Sequence, residues 1–358
     1  MNQTRSPVSR WALRCLALLF VLLVIDQITL RVLVQSDRIF GYPLLPYYPP
    51  EFEDSAPSSL TELVPDQDLG WRLATVDEGG SLEFDWTGGR LGASSLAPRK
   101  RPGVRRVLLI GGSATLAADL GNDETFAAKL SATDPTCEVI NFSTPLHGVD
   151  QALLRLRSNG FRLEPDEIWL AFEGSTALVA TTRYLPLVRR QASEAFLKPR
   201  FRLNHENELE LLPVPDSSLR ETRARYLDEL ASTEMWASHP GLFAIPGLGE
   251  EFFFTKFAAS LALNQKLERD SQLVDSRSES FRTLIALFNQ LEHEVTRTGA
   301  RLRVLLIRDT DDALFTDTLR SHGFEVIELT LSTRGAESTK AHHANIAISL
   351  QLLLAKDR

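Results

Sequence analysis

From Arg105 onward the chain alternates between short apolar runs of strand length and longer segments whose apolar residues recur at helical spacing. Residues 105–110, 138–142, 167–172, 301–307 and 325–329 read as strands. Residues 124–132, 149–159, 278–298, 311–322 and 343–355 read as helices. The segment 278–298 has the sharpest signal: Phe281, Leu284, Ile285, Phe288, Leu291 and Val295 fall three and four apart, making one buried stripe, and Gly299 supplies the stop. Near-continuous apolar strands alternating with helices predict an α/β fold whose five-stranded parallel sheet is covered on both faces.

The N-terminus follows another pattern. Residues 11–25 are apolar except for Arg14, and 28–34 continue after Asp26-Gln27. Arg5 and Arg10 precede the run, with no acid before Asp26, which suits the basic side of a signal sequence. Residues 1–35 therefore read as an uncleaved signal anchor, a single transmembrane helix with the main domain extracytoplasmic; a cleaved signal peptide is the alternative. Asp26 and Arg31 are costly in mid-bilayer and mark either its outer boundary or a tilted, partly interfacial end.

Residues 36–65, with Pro43, Pro46, Pro49, Pro50 and Pro57, read as an extended linker. The rest, 66–358, reads as one domain with an N-terminal flap at 66–104 and an insertion at 181–274. Within the insertion, 199–213 predicts a hairpin around 204–207, and 240–254 is an apolar loop rich in Gly and Pro. Following the third strand, the insertion would roof the sheet's carboxyl end.

Composition narrows the functions. The 358 residues carry a formal charge of −8 and 43% hydrophobic residues, enough for a full core and too acidic for general nucleic-acid binding. The basic cluster Arg99, Lys100, Arg101, Arg105 and Arg106 reads as a solvated linker. Cys15 and Cys137 make no disulfide framework, and no metal-ligand spacing or cofactor signature exists. Gly111-Gly112 lacks both the dinucleotide pattern and a following P-loop lysine.

Four spots carry candidate chemistry. Gly111-Gly112-Ser113 ends the first strand, where open α/β sheets place ligands; Ser113 is a nucleophile or a turn residue. Residues 139–151 run from the second strand through Ser143-Thr144-Pro145-Leu146-His147-Gly148 into a helix, and His147 reads as a surface-loop histidine. The third strand ends in Phe172-Glu173-Gly174-Ser175. The last helix opens with His342-His343-Ala344-Asn345. A parallel sheet gathers all four at one rim.

In the order and spacing of these spots the chain resembles the SGNH (GDSL-like) hydrolase superfamily, in particular its membrane-anchored, extracytoplasmic members. Asp68-Leu69-Gly70-Trp71-Arg72 resembles their Leu-Gly-Trp entry segment, and Lys198-Pro199-Arg200-Phe201 the start of their inserted hairpin. The resemblance implies a three-layer α/β/α sandwich, with Ser113 as catalytic nucleophile, His343 as base and His342 as the alternative base. It also implies an oxyanion hole from Ser113, Leu146 and Ser175, with no metal and no cofactor. The chemistry needs such a pair because a serine hydroxyl attacks poorly until an imidazole takes its proton.

Several positions depart from the family pattern. Gly112 stands for its Asp, Leu146 for a glycine, Ser175 for an asparagine, and Lys340 or Ala341 for the acid that orients the histidine. Glu337 and Glu173 are candidate substitutes for that acid. Losing the orienting acid costs roughly 10⁴-fold in a serine protease site, and losing an oxyanion donor roughly 10²–10³-fold. Two functions stay open: an esterase or O-acyltransferase acting on an ester-bearing small molecule or extracytoplasmic polysaccharide, or an inactive SGNH-like binding or assembly module of the envelope. The expected partners are that ester-bearing ligand and, through the N-terminal helix, the membrane.

Overall fold

The computed structural model describes residues 7–33, 38–39, 42–43, 63–74, 82–84, 88–90, 100–173, 176–185, 188, 197–214, 232–235, 262, 265–267, 269–270, 276–308, 313–330 and 336–356. The chain forms two compact units, one of Met1–Glu53 with Arg223–Leu267 and one of Asp54–Thr222 with Glu268–Arg358. In the first, helix α1 (Pro7–Leu33) contains Trp11–Thr29, a stretch long and apolar enough to cross a membrane. Residues 11–25 all expose their side chains, whereas Asp26 is buried.

The second unit opens with a hairpin, β1 (Leu63–Asp66) and β2 (Gly70–Leu73). Then come β3 (Arg105–Ile110), the one-turn helix α2 (Ser113–Leu116), α3 (Phe126–Thr133), β4 (Cys137–Asn141), α4 (Val149–Ser158) and β5 (Glu167–Glu173). A second hairpin, β6 (Arg200–Leu203) and β7 (Leu209–Leu212), precedes α5 (Glu279–Arg297), β8 (Arg301–Arg308), α6 (Ala313–Ser321), β9 (Val326–Thr330) and α7 (Ala336–Lys356).

The five-stranded sheet has the order β9-β8-β5-β3-β4, and its four pairings are parallel. Strand alternation sends Leu108 and Ile110 to one face, into a core with α4, α5 and α6. Val107 and Leu109 go to the other face, with α3 and α7. The result is three layers, α/β/α, as predicted. From β3 the chain moves to β4 on one side and then to β5 on the other. The carboxyl ends of β3 and β5 thus flank the topological switch point, where such sheets open a crevice.

Local chemistry sets the helix limits. Ser278 caps α5 by accepting the Phe281 N–H at 3.2 Å, and Gly299 leaves the helix at φ +81°. The hairpin predicted around 204–207 is β6–β7, with Asn207 at φ +63°. The last helix begins at Ala336, not at His343. Residues 336–342 carry no apolar period and no breaker, so the pattern could not reveal them as helix.

The basic cluster is not a solvated linker. Arg106 is fully buried, donating to Glu138 at 3.0 and 3.1 Å and to the Leu163 carbonyl at 2.9 Å. Arg105 pairs with Glu167 at 3.2 Å, Arg101 with Glu138 at 3.1 Å, and Lys100 with Asp166. Acids opening the neighbouring strands neutralise these cations at the amino ends of the sheet, opposite the rim that carries Ser113. The loop at 240–254, and most of the linker at 36–65, lie outside the described residues.

Candidate active site

The Ser113 corner is built by exclusion. A Cβ on Gly111 would fall 2.3 Å from Thr115 Oγ1 and 2.8 Å from Ala171 Cβ, so only glycine lets β3 turn this close to β5. Gly112 is the N-cap of α2 and Ser113 its first residue, with an exposed side chain. From below, the Asn141 side chain donates to the Thr115 carbonyl at 2.9 Å. Arg90 sends its guanidinium to the carbonyls of Leu116, Ala117 and Leu120, and its N–H to Asn141 O at 2.8 Å. Burial lowers the Arg90 pKa, against the pull of Asp119. These carbonyls follow a single helical turn, and although the Leu120 N–H also reaches the Ala117 carbonyl at 3.0 Å, Arg90 serves as the C-terminal cap of that turn.

The second block lies against this corner, with the Thr144 N–H donating to Gly111 O at 2.9 Å. Leu146, at a position where the sequence resemblance leads to the expectation of a glycine, has a left-handed backbone at φ +62°. That conformation costs a side chain about 1–2 kcal/mol, and it is held from both sides. The Trp71 indole N–H donates to the Pro145 carbonyl at 3.0 Å, and His147 Nε2 donates to the Trp71 carbonyl at 3.0 Å. His147 is therefore not a surface-loop residue: it is buried edge-on against Trp71, ring centroids 5.6 Å apart. Burial, with Arg155 and Lys198 nearby, pushes its pKa down to about 3, although the Trp71 bond raises it.

Below this loop sits a fully buried ion pair, Lys198 with Asp150. Burial raises the Asp150 carboxyl above its ordinary range despite the lysine. Gln151 reaches back to the Leu69 carbonyl at 2.7 Å, and Gly70 passes so near Lys198 that a Cβ there would lie 2.7 Å from its Cα. The Leu-Gly-Trp segment and the Lys-Pro segment thus brace one loop. Arg155 lies over the Phe142 ring at 4.8 Å and bonds Thr144 Oγ1 and the Gly88 carbonyl.

His343 is fully buried, two turns inside α7. Its Nδ1 accepts the backbone N–H of Phe126 at 3.1 Å, and its ring packs on the Phe126 ring at 5.4 Å. Phe126 opens α3, so this N–H is one of the orphan donors of a helix start. Thr125 accepts the Ala128 N–H at 3.2 Å, and His343 completes the cap from another helix. Accepting at Nδ1 leaves the proton of a neutral imidazole on Nε2. A base for Ser113 needs the reverse tautomer, with Nε2 open as acceptor. Lys340, which the sequence resemblance sets where an orienting acid is expected, pairs with Glu124 and ties the same two helices.

The structure brings Ser113, Leu146 and Glu173 to one rim. A Cβ on Gly112 would sit 3.6 Å from Glu173 Oε1. No hydrogen bond joins Ser113 to His343 among the described residues. Ser175 and the side chains of His342 and Glu337 lie outside the described residues. Among those described, no group of three His, Cys, Asp or Glu is arranged to hold a metal ion. Sequence reasoning missed Arg90, Asn141 and Arg155 as braces of the rim. Their partners lie well along the chain, so no local pattern marks them.

No family model and no curated protein matches the chain. Among solved structures, it is similar to one assigned to the lipolytic G-D-S-L family, from Desulfitobacterium hafniense DCB-2, at 10% identity, covering 68% of this chain and 97% of that one with a TM-score of 0.31. It is also similar to LAE5, an alpha/beta hydrolase enzyme from the metagenome of Lake Arreo, Spain, at 13% identity, covering 55% and 95% with a TM-score of 0.19.

Proposed function

We propose that this chain is a membrane-anchored, extracytoplasmic SGNH-like module whose rim binds an ester-bearing glycan without Ser113–His343 turnover. One observation carries this reading: the Nδ1 lone pair of His343 is committed to the Phe126 N–H in the α3 cap. A base must gain a proton, and an imidazolium here would set N–H against N–H. Lys340 in place of the orienting acid removes the usual compensation for that positive ring. The anchor assignment draws support from Trp11–Thr29.

A second reading keeps an esterase or O-acyltransferase with Ser113 as nucleophile and the N–H groups of Ser113 and Leu146, with Ser175, as oxyanion donors. Leu146 favours it, because its left-handed backbone is the conformation a glycine would supply at an oxyanion loop. Hydrolysis and transfer share the acyl-enzyme step.

Treating the full chain with a fluorophosphonate probe, and assaying short acyl esters, separates the two. The binding reading expects no adduct on Ser113 and equal background turnover by the parent and Ser113→Ala. An adduct mapped to Ser113, with turnover lost in Ser113→Ala, would establish the esterase reading.

A further inference from the structure

Away from the Ser113 rim, the second unit holds a cavity of about 650 Å³ between the tip of the β6–β7 hairpin, the first half of α5 and the end of α6. Its apolar floor is Phe281 and Ile285, and its polar wall includes Arg282, Asn207, Asn289 and His322. The volume falls in the range of small-ligand sites, which pair apolar surface with a few placed polar groups.

The charge of the lining is the informative feature. In a chain with 47 acidic and 39 basic residues, none of the described residues lining this cavity is acidic. Arg282 supplies the formal positive charge. Its guanidinium is held by the Asn207 side-chain oxygen, which uses one of its five N–H donors. Asn207 is itself placed, at φ +63°, because the Asn204 side chain accepts the Glu206 and Glu208 N–H groups at 2.9 Å each. On the far wall His322 donates from Nδ1 to the Thr318 carbonyl at 2.8 Å, which leaves Nε2 free of that bond. The ring lies edge-on to Phe281, centroids 6.4 Å apart.

We propose that this cavity is a second ligand site, distinct from the Ser113 rim, that takes a carboxylated sugar unit. The planar fork of Arg282 matches a carboxylate through two parallel hydrogen bonds, a geometry that lysine lacks. The Asn207 and Asn289 amides offer donors and acceptors for ring hydroxyls, and Phe281 with Ile285 offers the apolar floor that a sugar face covers. The glycan part of this inference rests on the proposed function; the anion part rests on the lining alone.

Titration calorimetry of the detergent-solubilised full chain with trigalacturonic acid tests it, with a neutral galactose trisaccharide and inorganic phosphate as controls. Binding of the acidic trisaccharide is expected to fall at least tenfold in Arg282→Gln and to stay unchanged in Arg162→Gln, which removes an exposed arginine that lines neither the cavity nor the Ser113 rim. Arg282 is exposed, so this variant keeps the parent's melting temperature. Equal binding of the neutral trisaccharide, an unaffected Arg282→Gln, displacement by equimolar phosphate, or no heat at all would each overturn the carboxylated-sugar assignment. The fluorophosphonate result on Ser113 is read separately, so the two proposals fail independently.

Discussion

Trp71 and His147 grip each other across the bend that carries Leu146. The indole N–H of Trp71 reaches the carbonyl two residues before His147, and His147 Nε2 returns a bond to the carbonyl of Trp71, both at 3.0 Å. The bend is thereby fixed by a residue that lies far upstream in the chain. With a folded-state pKa of about 3 against an ordinary 6.5, His147 stays neutral in the fold while the unfolded chain protonates it below pH 6.5. The unfolded state then binds more protons, so this contribution to stability is fully present above pH 6.5. It is lost as pH falls toward 3, at about 1.4 kcal/mol per pH unit. Urea midpoints at pH 7 and pH 4.5 should show a larger drop for the parent than for His147→Gln. Identical drops would remove His147 from the account.

Leu146 is expected to answer to backbone, not only to side chain. Leu146→Ala keeps the left-handed strain and loses the contact with Trp71, Val179 and Leu185, whereas Leu146→Gly loses the same contact and relieves the strain. The glycine variant should be the more stable of the two by about 1 kcal/mol. Thermal unfolding that ranks alanine above glycine contradicts the strained conformation.

His343→Phe preserves ring packing on Phe126 and removes the acceptor. The orphaned N–H at the start of α3 should cost roughly 1–3 kcal/mol. Ser113→Ala, at an exposed position, should change stability by no more than about 0.5 kcal/mol. Chemical denaturation of both variants checks this; a His343→Phe variant as stable as the parent would rule out the capping role.

Removing one partner of the Lys198–Asp150 pair strands the other in the core. Lys198→Met should lose about 3–5 kcal/mol, and adding Asp150→Asn should recover much of it. A double variant no better than the single one would show that Lys198 matters by packing, not by charge.

The sheet was legible because its signals are local. Val107–Ile110, and the stripe from Phe281 to Val295, announce strand and helix through residues a few positions apart, and their burial on both faces follows. Ser113 was legible as a rim residue for the same reason: two glycines after an apolar run leave little else for the corner to be. The strain at Leu146 was visible as a side chain standing where a glycine is expected. The burial of Arg106 was not legible because its partners are distant in the chain, Glu138 on β4 and Asp166 just before β5.

By itself the amino-acid order determined an α/β domain with a parallel sheet, an apolar N-terminal helix and a serine at the carboxyl end of the first domain strand. Tertiary structure alone decided what the histidines do. His147 and His343 are both buried, and each ring nitrogen's role is set by a backbone group far away in the chain, 76 residues away for His147 and 217 for His343. The tautomer of an imidazole depends on what its other nitrogen touches, and that is known only once the helices have packed.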